Sequence, residues 1–136
     1  MGSIEILKAE YYSVLKNKKE KCEAEIKEFK TLEKNDEANL VKIRLNVIDI
    51  FYTLFNTSYK KVCGVGALSS EDKYKKLLEI YLEFFEKIPA PWKEKYDKAK
   101  SRELVIDYVI EEIKIKTADE LKQVFLKVSN NESTIN

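Results

Sequence analysis

The stretch that most constrains the fold is residues 39–62, which is apolar around most of its circumference when drawn as a helix. Its polar side chains recur at steps of three and four and therefore share one narrow face. They are Asn39, Lys42, Asn46, Asp49, Thr53, Asn56 and Lys60. A helix with so wide an apolar surface has to be wrapped by several neighbours. We therefore predict a central helix over about residues 37–63 in an all-α fold.

The composition also favours helices. Charged residues make up 36% of the 136 positions, which is typical of amphipathic helices with solvated outer faces. Three glycines and two prolines are too few for the many turns of an all-β fold. We predict an up-and-down bundle of four main helices plus a short one, as a single domain over residues 1–128. The polar residues 129–136 are expected to be a disordered C-terminal tail.

The first two helices are expected to form an antiparallel hairpin. An apolar stripe predicts the first helix over residues 4–34. Asn35 and Asp36 are candidate N-cap residues for the central helix. Gly64 is expected in the left-handed position that ends the central helix.

Helix signals continue through the second half of the chain. Ser69 and Asp72 resemble a capping box that opens a helix over residues 70–88, and two prolines then stop it. A short helix over residues 92–100, a fourth helix capped by Ser101 and a last helix opened by Thr117 and Glu120 are expected to follow. Residues 105–115 are rich in Val and Ile, so a strand is the alternative there. No part of the chain resembles another, and no internal repeat is expected.

Arg44 is the first candidate for a ligand site, because it falls within the apolar arc of the central helix. A buried guanidinium needs an anion, which is either a ligand or a carboxylate of a neighbouring helix. The structural ion pair is the more common arrangement. Asn46 and Asp49 could line the same pocket, or a solvent-exposed seam, and Tyr81 belongs to the aromatic face of the third helix. These four residues form the predicted ligand site.

The first helix carries a candidate interface. Lys18 and Glu25 interrupt its apolar stripe, in which Cys22 is a small apolar member. Unpaired charges are costly in a core. Either the two charges meet each other through a partner residue, or this section is only shallowly covered. Shallow cover suits a long helix that extends past a shorter neighbour or packs on a second subunit. We expect a homodimer whose interface includes Lys18, Cys22 and Glu25.

Several classes of function find little support in the residues. The chain has no histidine, the commonest general base and metal ligand. The Glu-x-x-Glu pairs, such as Glu83 and Glu86, lie opposite the apolar face and do not predict a metal site. Residues 63–66 lack the spacing of a phosphate-binding loop. Residues 92–102 alternate aromatic and basic side chains, as single-strand binders do, but acidic residues dilute them.

The sequence thus predicts a non-enzymatic protein-interaction or regulatory module that associates with itself or another protein. The alternative is a small-ligand-binding bundle, which could be an enzyme, with an aromatic pocket near Arg44. No cofactor or metal is expected. A net charge of +1, from 25 basic and 24 acidic residues, disfavours nucleic acid. No membrane span or leader is apparent, so we expect a cytoplasmic location, and the richness in Lys, Ile, Glu and Asn suggests a bacterial source.

Overall fold

Five α-helices make up most of residues 3–134. The computed structural model describes the backbone of residues 3–134 and the side chains of residues 3–130. The helices are α1 (Ile4–Thr31), α2 (Asn35–Cys63), α3 (Ser70–Lys87), α4 (Ala90–Ser101) and α5 (Val105–Thr134). Residues 3–134 contain no strand. The predicted all-α bundle is confirmed, and the strand alternative for residues 105–115 is wrong.

Helix α2 is the central element, as its apolar circumference predicts. It packs against α1, α3 and α5. Phe51 and Phe55 on its inner side are completely buried. Burial of each such ring contributes about 1.5–3 kcal/mol relative to exposure. The wrapping is incomplete, since Ile50 is 39% exposed.

Helix α5 is continuous where the sequence predicts a break at Thr117. The Thr117 hydroxyl donates to the carbonyl of Ile113 at 2.7 Å. An N-cap side chain would instead accept from a backbone N–H further along the chain. This backward bond is the one that a threonine inside a helix makes. The capping box at Thr117 and Glu120 is therefore wrong.

The same helix continues past residue 128, where the predicted tail begins. Ser129 is buried, and the Tyr74 hydroxyl donates to its carbonyl at 3.0 Å. Residues 129–134 belong to α5, so the helix extends beyond residue 128. Residues 135 and 136 lie outside the described part of the chain.

The other capping predictions have mixed outcomes. The Ser69 hydroxyl accepts from the backbone N–H of Asp72 at 3.1 Å, which confirms that cap. Ser101 is the last residue of α4 rather than the cap of α5. Lys34 occupies the cap position before α2 and makes no side-chain capping bond. The predicted caps at Ser101, Asn35 and Asp36 are therefore wrong.

Left-handed backbone occurs at two glutamates and not at the expected glycine. Gly64 has φ −75° and is right-handed. Glu33 and Glu103 have φ 60° and 57°. A non-glycine residue in this region costs roughly 1–2 kcal/mol, so the surrounding turns have to stabilise it.

These two glutamates belong to matching turns 70 residues apart. In the α1–α2 turn, the N–H groups of Leu32, Glu33 and Lys34 donate to the carbonyls of Glu28, Lys30 and Phe29 at 3.0, 3.1 and 2.7 Å. In the α4–α5 turn, those of Arg102, Glu103 and Leu104 donate to Lys98, Lys100 and Ala99 at 3.2, 3.2 and 2.9 Å. Every residue of the second set is 70 positions beyond its counterpart in the first.

The core has the same 70-residue offset. Tyr11 and Tyr81 are equivalent, as are Phe55 and Phe125, and all four are completely buried. The ring centroids of Tyr11 and Phe125 lie 5.1 Å apart, and so do those of Tyr81 and Phe55. Each contact becomes the other when every residue is replaced by its equivalent in the other half of the chain. The two halves are therefore related by an approximate two-fold axis that passes between the two tyrosines.

The bundle is thus an internal repeat, and the expectation of no repeat is wrong. Helices α3 and α4 together correspond to α1, and α5 corresponds to α2. The interruption between α3 and α4 falls at Pro89, whose ring cannot be accommodated inside a continuous helix. We call residues 22–44 the first arm and residues 92–114 the second arm.

Candidate functional site

Arg44 lies at the surface rather than inside the bundle. Its guanidinium is 3.7 Å from a carboxylate oxygen of Glu120 on α5, and the two side chains are 39% and 52% exposed. Exposed pairs of this kind contribute about 0–1 kcal/mol. The position of Arg44 fits a structural ion pair, which is one of the two interpretations that the sequence left open for it.

Asn46 and Asp49 face outward along α2. Asn46 is exposed. Asp49 forms an ion pair with Lys19 of α1 at 2.9 Å, and both side chains are partly exposed. The arrangement corresponds to a solvated seam between α1 and α2.

Tyr81 points into the core. Its hydroxyl donates to the Phe51 carbonyl at 3.1 Å and lies 2.6 Å from the Tyr11 hydroxyl. Burial raises the pKa of both tyrosines above its ordinary value, so both stay protonated near neutral pH. Arg44 pairs with α5, Asp49 pairs with α1, and Tyr81 is enclosed. The four predicted ligand-site residues therefore do not converge on one pocket.

The candidate interface on α1 is partly enclosed by the protein's own helices. Cys22 is 2% exposed, and burial raises the pKa of its thiol. Lys18 and Glu25 are half-buried on the same helix. Cys22 offers no surface to a second subunit unless the bundle opens.

A cleft lies between α4 and α5 in the second arm, where the sequence predicts no site. Its volume is about 320 Å³, within the usual range for small-molecule pockets. Four cationic and two acidic side chains line it together with three apolar ones: Lys95, Lys98, Arg102, Lys114, Asp107, Glu111, Ala99, Leu104 and Ile110. The lining is therefore net positive.

Glu111 is the most unusual residue of this cleft, because it is only 5% exposed. Lys114 Nζ donates to Glu111 Oε1 at 3.3 Å. The same ammonium is 3.2 Å from Oε2, but that contact is an ion pair without hydrogen-bond geometry. Buried carboxylates normally have their oxygens hydrogen-bonded, since the loss of water is costly. Glu111 therefore has one oxygen that can still accept a hydrogen bond.

The end of the second arm is apolar and exposed. Leu104, Val105 and Ile106 are 45%, 56% and 76% exposed, and we call them the apolar tip. None of them belongs to the hydrophobic cluster that holds the bundle together. Contiguous exposed apolar side chains are a common mark of an interaction surface.

The cleft and the apolar tip are both visible in the sequence once the two arms are aligned at the 70-residue offset. The apolar tip replaces Lys34, Asn35 and Asp36 of the first arm. Few residues are identical between the halves, so periodicity alone did not expose the offset.

Neither a metal-binding cluster nor a membrane-spanning stretch occurs in the described residues. They contain no group of three or more His, Cys, Asp or Glu side chains placed to hold a metal ion. None of the helices within residues 3–134 has an apolar stretch long enough to cross a bilayer. Glu83 and Glu86 are exposed on α3, as predicted.

The chain was compared with protein-family models, curated proteins and solved structures, and none of them matches. Any functional assignment therefore depends on the geometry of the two arms.

Proposed function

We propose that this protein is a non-enzymatic interaction module of a bacterial cytoplasm that self-associates through the apolar tip of its second arm. The observation that carries the proposal is the exposure of Leu104, Val105 and Ile106 at the end of a helical hairpin. Removing such side chains from water on association is favourable, by about 25 cal/mol per Å² of apolar surface. The free thiols of Cys22 and Cys63 are compatible with a reducing compartment.

The first arm supports a functional origin for the tip. It makes the same turn with Lys34, Asn35 and Asp36 at the three equivalent positions. The turn therefore does not require apolar residues. Their presence in the second arm alone supports a contact that only this arm makes.

The charges around the tip favour a second copy of the chain as the partner. Arg102 and Glu103 precede the apolar residues, and Asp107 follows them. In a two-fold pairing, the same surface faces itself with reversed direction, so that Arg102 of one copy can lie opposite Asp107 of the other. An anionic membrane selects clusters of Lys and Arg, whereas the residues that flank the tip are of both signs, which makes a lipid surface the less suitable partner.

The tip is small, so the predicted dimer is weak. Stable interfaces bury about 800 Å² on each partner, which is more than three side chains supply. Light scattering over a range of concentrations should show a mass rising from the chain mass of 15.9 kDa toward twice that value. A mass that stays at 15.9 kDa at the highest soluble concentration contradicts the proposal.

The first arm supplies the test variant. The double substitution Val105→Asn and Ile106→Asp copies Asn35 and Asp36, and Asn and Asp also suit the start of a helix. We expect it to remain folded and monomeric at all concentrations. Ile6→Asp is the matched control. Ile6 is an apolar residue that is 48% exposed near the N-terminal end of α1 and is not part of the tip. It should leave the concentration dependence unchanged.

A further inference from the structure

Several residues that line the cleft of the second arm replace apolar residues of the first arm. Ala99 is equivalent to Phe29, a half-buried ring that packs against the core of the bundle. Glu111 is equivalent to Val41, which is 7% exposed and belongs to the core. Arg102 is equivalent to Leu32.

The first arm shows that the fold is satisfied by Phe and Val at these two positions. Replacing a large side chain by a small one leaves a cavity that costs stability. Placing a carboxylate where a valine fits adds a desolvation cost. Both changes occur at residues that line the cleft of the second arm, where Glu111 supplies a hydrogen-bond acceptor. Local departures from what the fold prefers are typical of functional sites.

The rim of the cleft differs from the first arm in its charge. Lys95 and Lys98 are equivalent to Glu25 and Glu28, so two negative charges are replaced by two positive ones. Lys98 forms an ion pair with Glu94 of the same helix at 3.3 Å. The four cations that line the cleft outnumber Asp107 and Glu111 by two, or by one when Glu94 is counted, and this excess of positive charge favours a phosphate.

These features specify the chemistry of a ligand. The cleft lies against Ala99, at the position of the Phe29 ring in the other arm, so a planar ring is the group best suited to it. A carboxylate at the base accepts a hydrogen bond from an amino group, and the broad terminal torsion of a glutamate lets either oxygen turn toward the cleft. Cationic side chains at the rim bind an anionic group. We propose that the cleft between α4 and α5 binds a nucleotide whose base carries an exocyclic amino group.

In this arrangement Glu111 accepts from the amino group, the base lies against Ala99, and Lys95 and Arg102 contact the phosphate. The site shares Leu104, Arg102 and Asp107 with the proposed self-association surface, but Ala99 and Glu111, the residues assigned to the base and its amino group, lie outside that surface. A monomeric protein can therefore bind the nucleotide, and a dimeric one can fail to bind it.

Titration calorimetry with adenosine 5′-monophosphate tests the proposal. Purine riboside 5′-monophosphate has the same ring and phosphate but lacks the amino group, and adenosine lacks the phosphate. We expect each to bind at least about tenfold more weakly than adenosine monophosphate, the ratio that one lost hydrogen bond to a charged group produces. No heat from adenosine monophosphate at millimolar concentration overturns the proposal. Equal affinity for inorganic phosphate also overturns it, since this would indicate a general anion-binding patch.

Three substitutions that copy the first arm locate the site. Ala99→Phe should fill the cleft and abolish binding, while Ala24→Phe adds the same ring at an exposed position of α1 and should not. Glu111→Val should remove the preference for the amino-bearing nucleotide. If Ala99→Phe fails to fold, Arg102→Leu changes an exposed turn residue and should weaken the nucleotide but not adenosine. Wild-type affinity in these variants contradicts the assignment.

Discussion

The hydrogen bonds between Tyr11 and Tyr81 are unequal, although the two residues are equivalent in the repeat. The single hydroxyl hydrogen of Tyr81 is donated to the Phe51 carbonyl at 3.1 Å. The 2.6 Å contact between the two hydroxyls therefore has Tyr11 as its donor. Tyr11→Phe removes one hydrogen bond and leaves Tyr81 with an acceptor. Tyr81→Phe removes two bonds and leaves the buried Tyr11 hydroxyl with no acceptor among these groups.

The magnitudes follow from this difference. Loss of one buried hydrogen bond lowers the free energy of unfolding by about 0.5–1.5 kcal/mol, which is the expectation for Tyr11→Phe. For Tyr81→Phe, the lost bond to Phe51 costs about 0.5–1.5 kcal/mol and the orphaned Tyr11 hydroxyl about 1–3 kcal/mol, so the variant should cost about 1.5–4.5 kcal/mol. The double variant has no orphan. It should cost less than the sum of the single variants, with a coupling of about 1 kcal/mol or more.

Urea unfolding followed by far-ultraviolet circular dichroism measures these values, because the chain is almost entirely helical. Tyr12→Phe is a matched control, since that hydroxyl donates to Asn56 in a partly buried site and should cost no more than Tyr11→Phe. A Tyr11→Phe variant as unstable as Tyr81→Phe would refute the donor assignment. Additive single-variant costs would refute the argument that the double variant removes the orphan.

Three further predictions concern titration, charge burial and thiol access. Burial raises the pKa of Tyr11 and Tyr81 in the folded state above the ordinary value of the unfolded chain. Their contribution to stability is therefore complete below pH ~10 and is lost as the pH rises above it. The loss is up to about 1.4 kcal/mol per pH unit for each tyrosine. Urea midpoints of the wild type and the double phenylalanine variant on either side of pH ~10 check this, and parallel curves would contradict it. Glu111→Val should leave stability unchanged or raise it by about 1–3 kcal/mol, since the partly exposed Lys114 can turn to water; a clear loss in urea unfolding would show that the carboxylate is structural. A thiol reagent should modify the exposed Cys63 at once and the buried Cys22 only on opening, and two fast thiols in a native-state assay would contradict the burial.

Local pattern predicts what depends on neighbours in the chain. Helix α2 extends over residues 35–63, close to the predicted 37–63, because its composition and its polar line are properties of a single segment. Ser69 caps α3 as predicted, since its bond to Asp72 spans only three residues. The end of α3 before the two prolines is also a local effect, because proline restricts the backbone of the residue that precedes it.

Predictions from local motifs are wrong where contacts with other helices determine the structure. Thr117 and Glu120 have the spacing of a capping box, but α5 is packed along its length and continues through them. Ser101 ends α4 because the turn after it is held by three backbone bonds and a left-handed Glu103. Arg44 lies within the apolar arc of an isolated helix, yet the path of α5 places Glu120 beside it at the surface.

The sequence by itself determined that the chain is helical and where its most apolar helix lies, because periodicity and composition act within one segment. Only the tertiary structure decided that residues 70 positions apart are equivalent, that one arm has a ring where the other has a cleft, and that a polar turn in the first arm is an apolar tip in the second. The physical reason is that these features depend on contacts between distant segments. The side chains of the two halves have diverged while the burial pattern that holds them together has been kept.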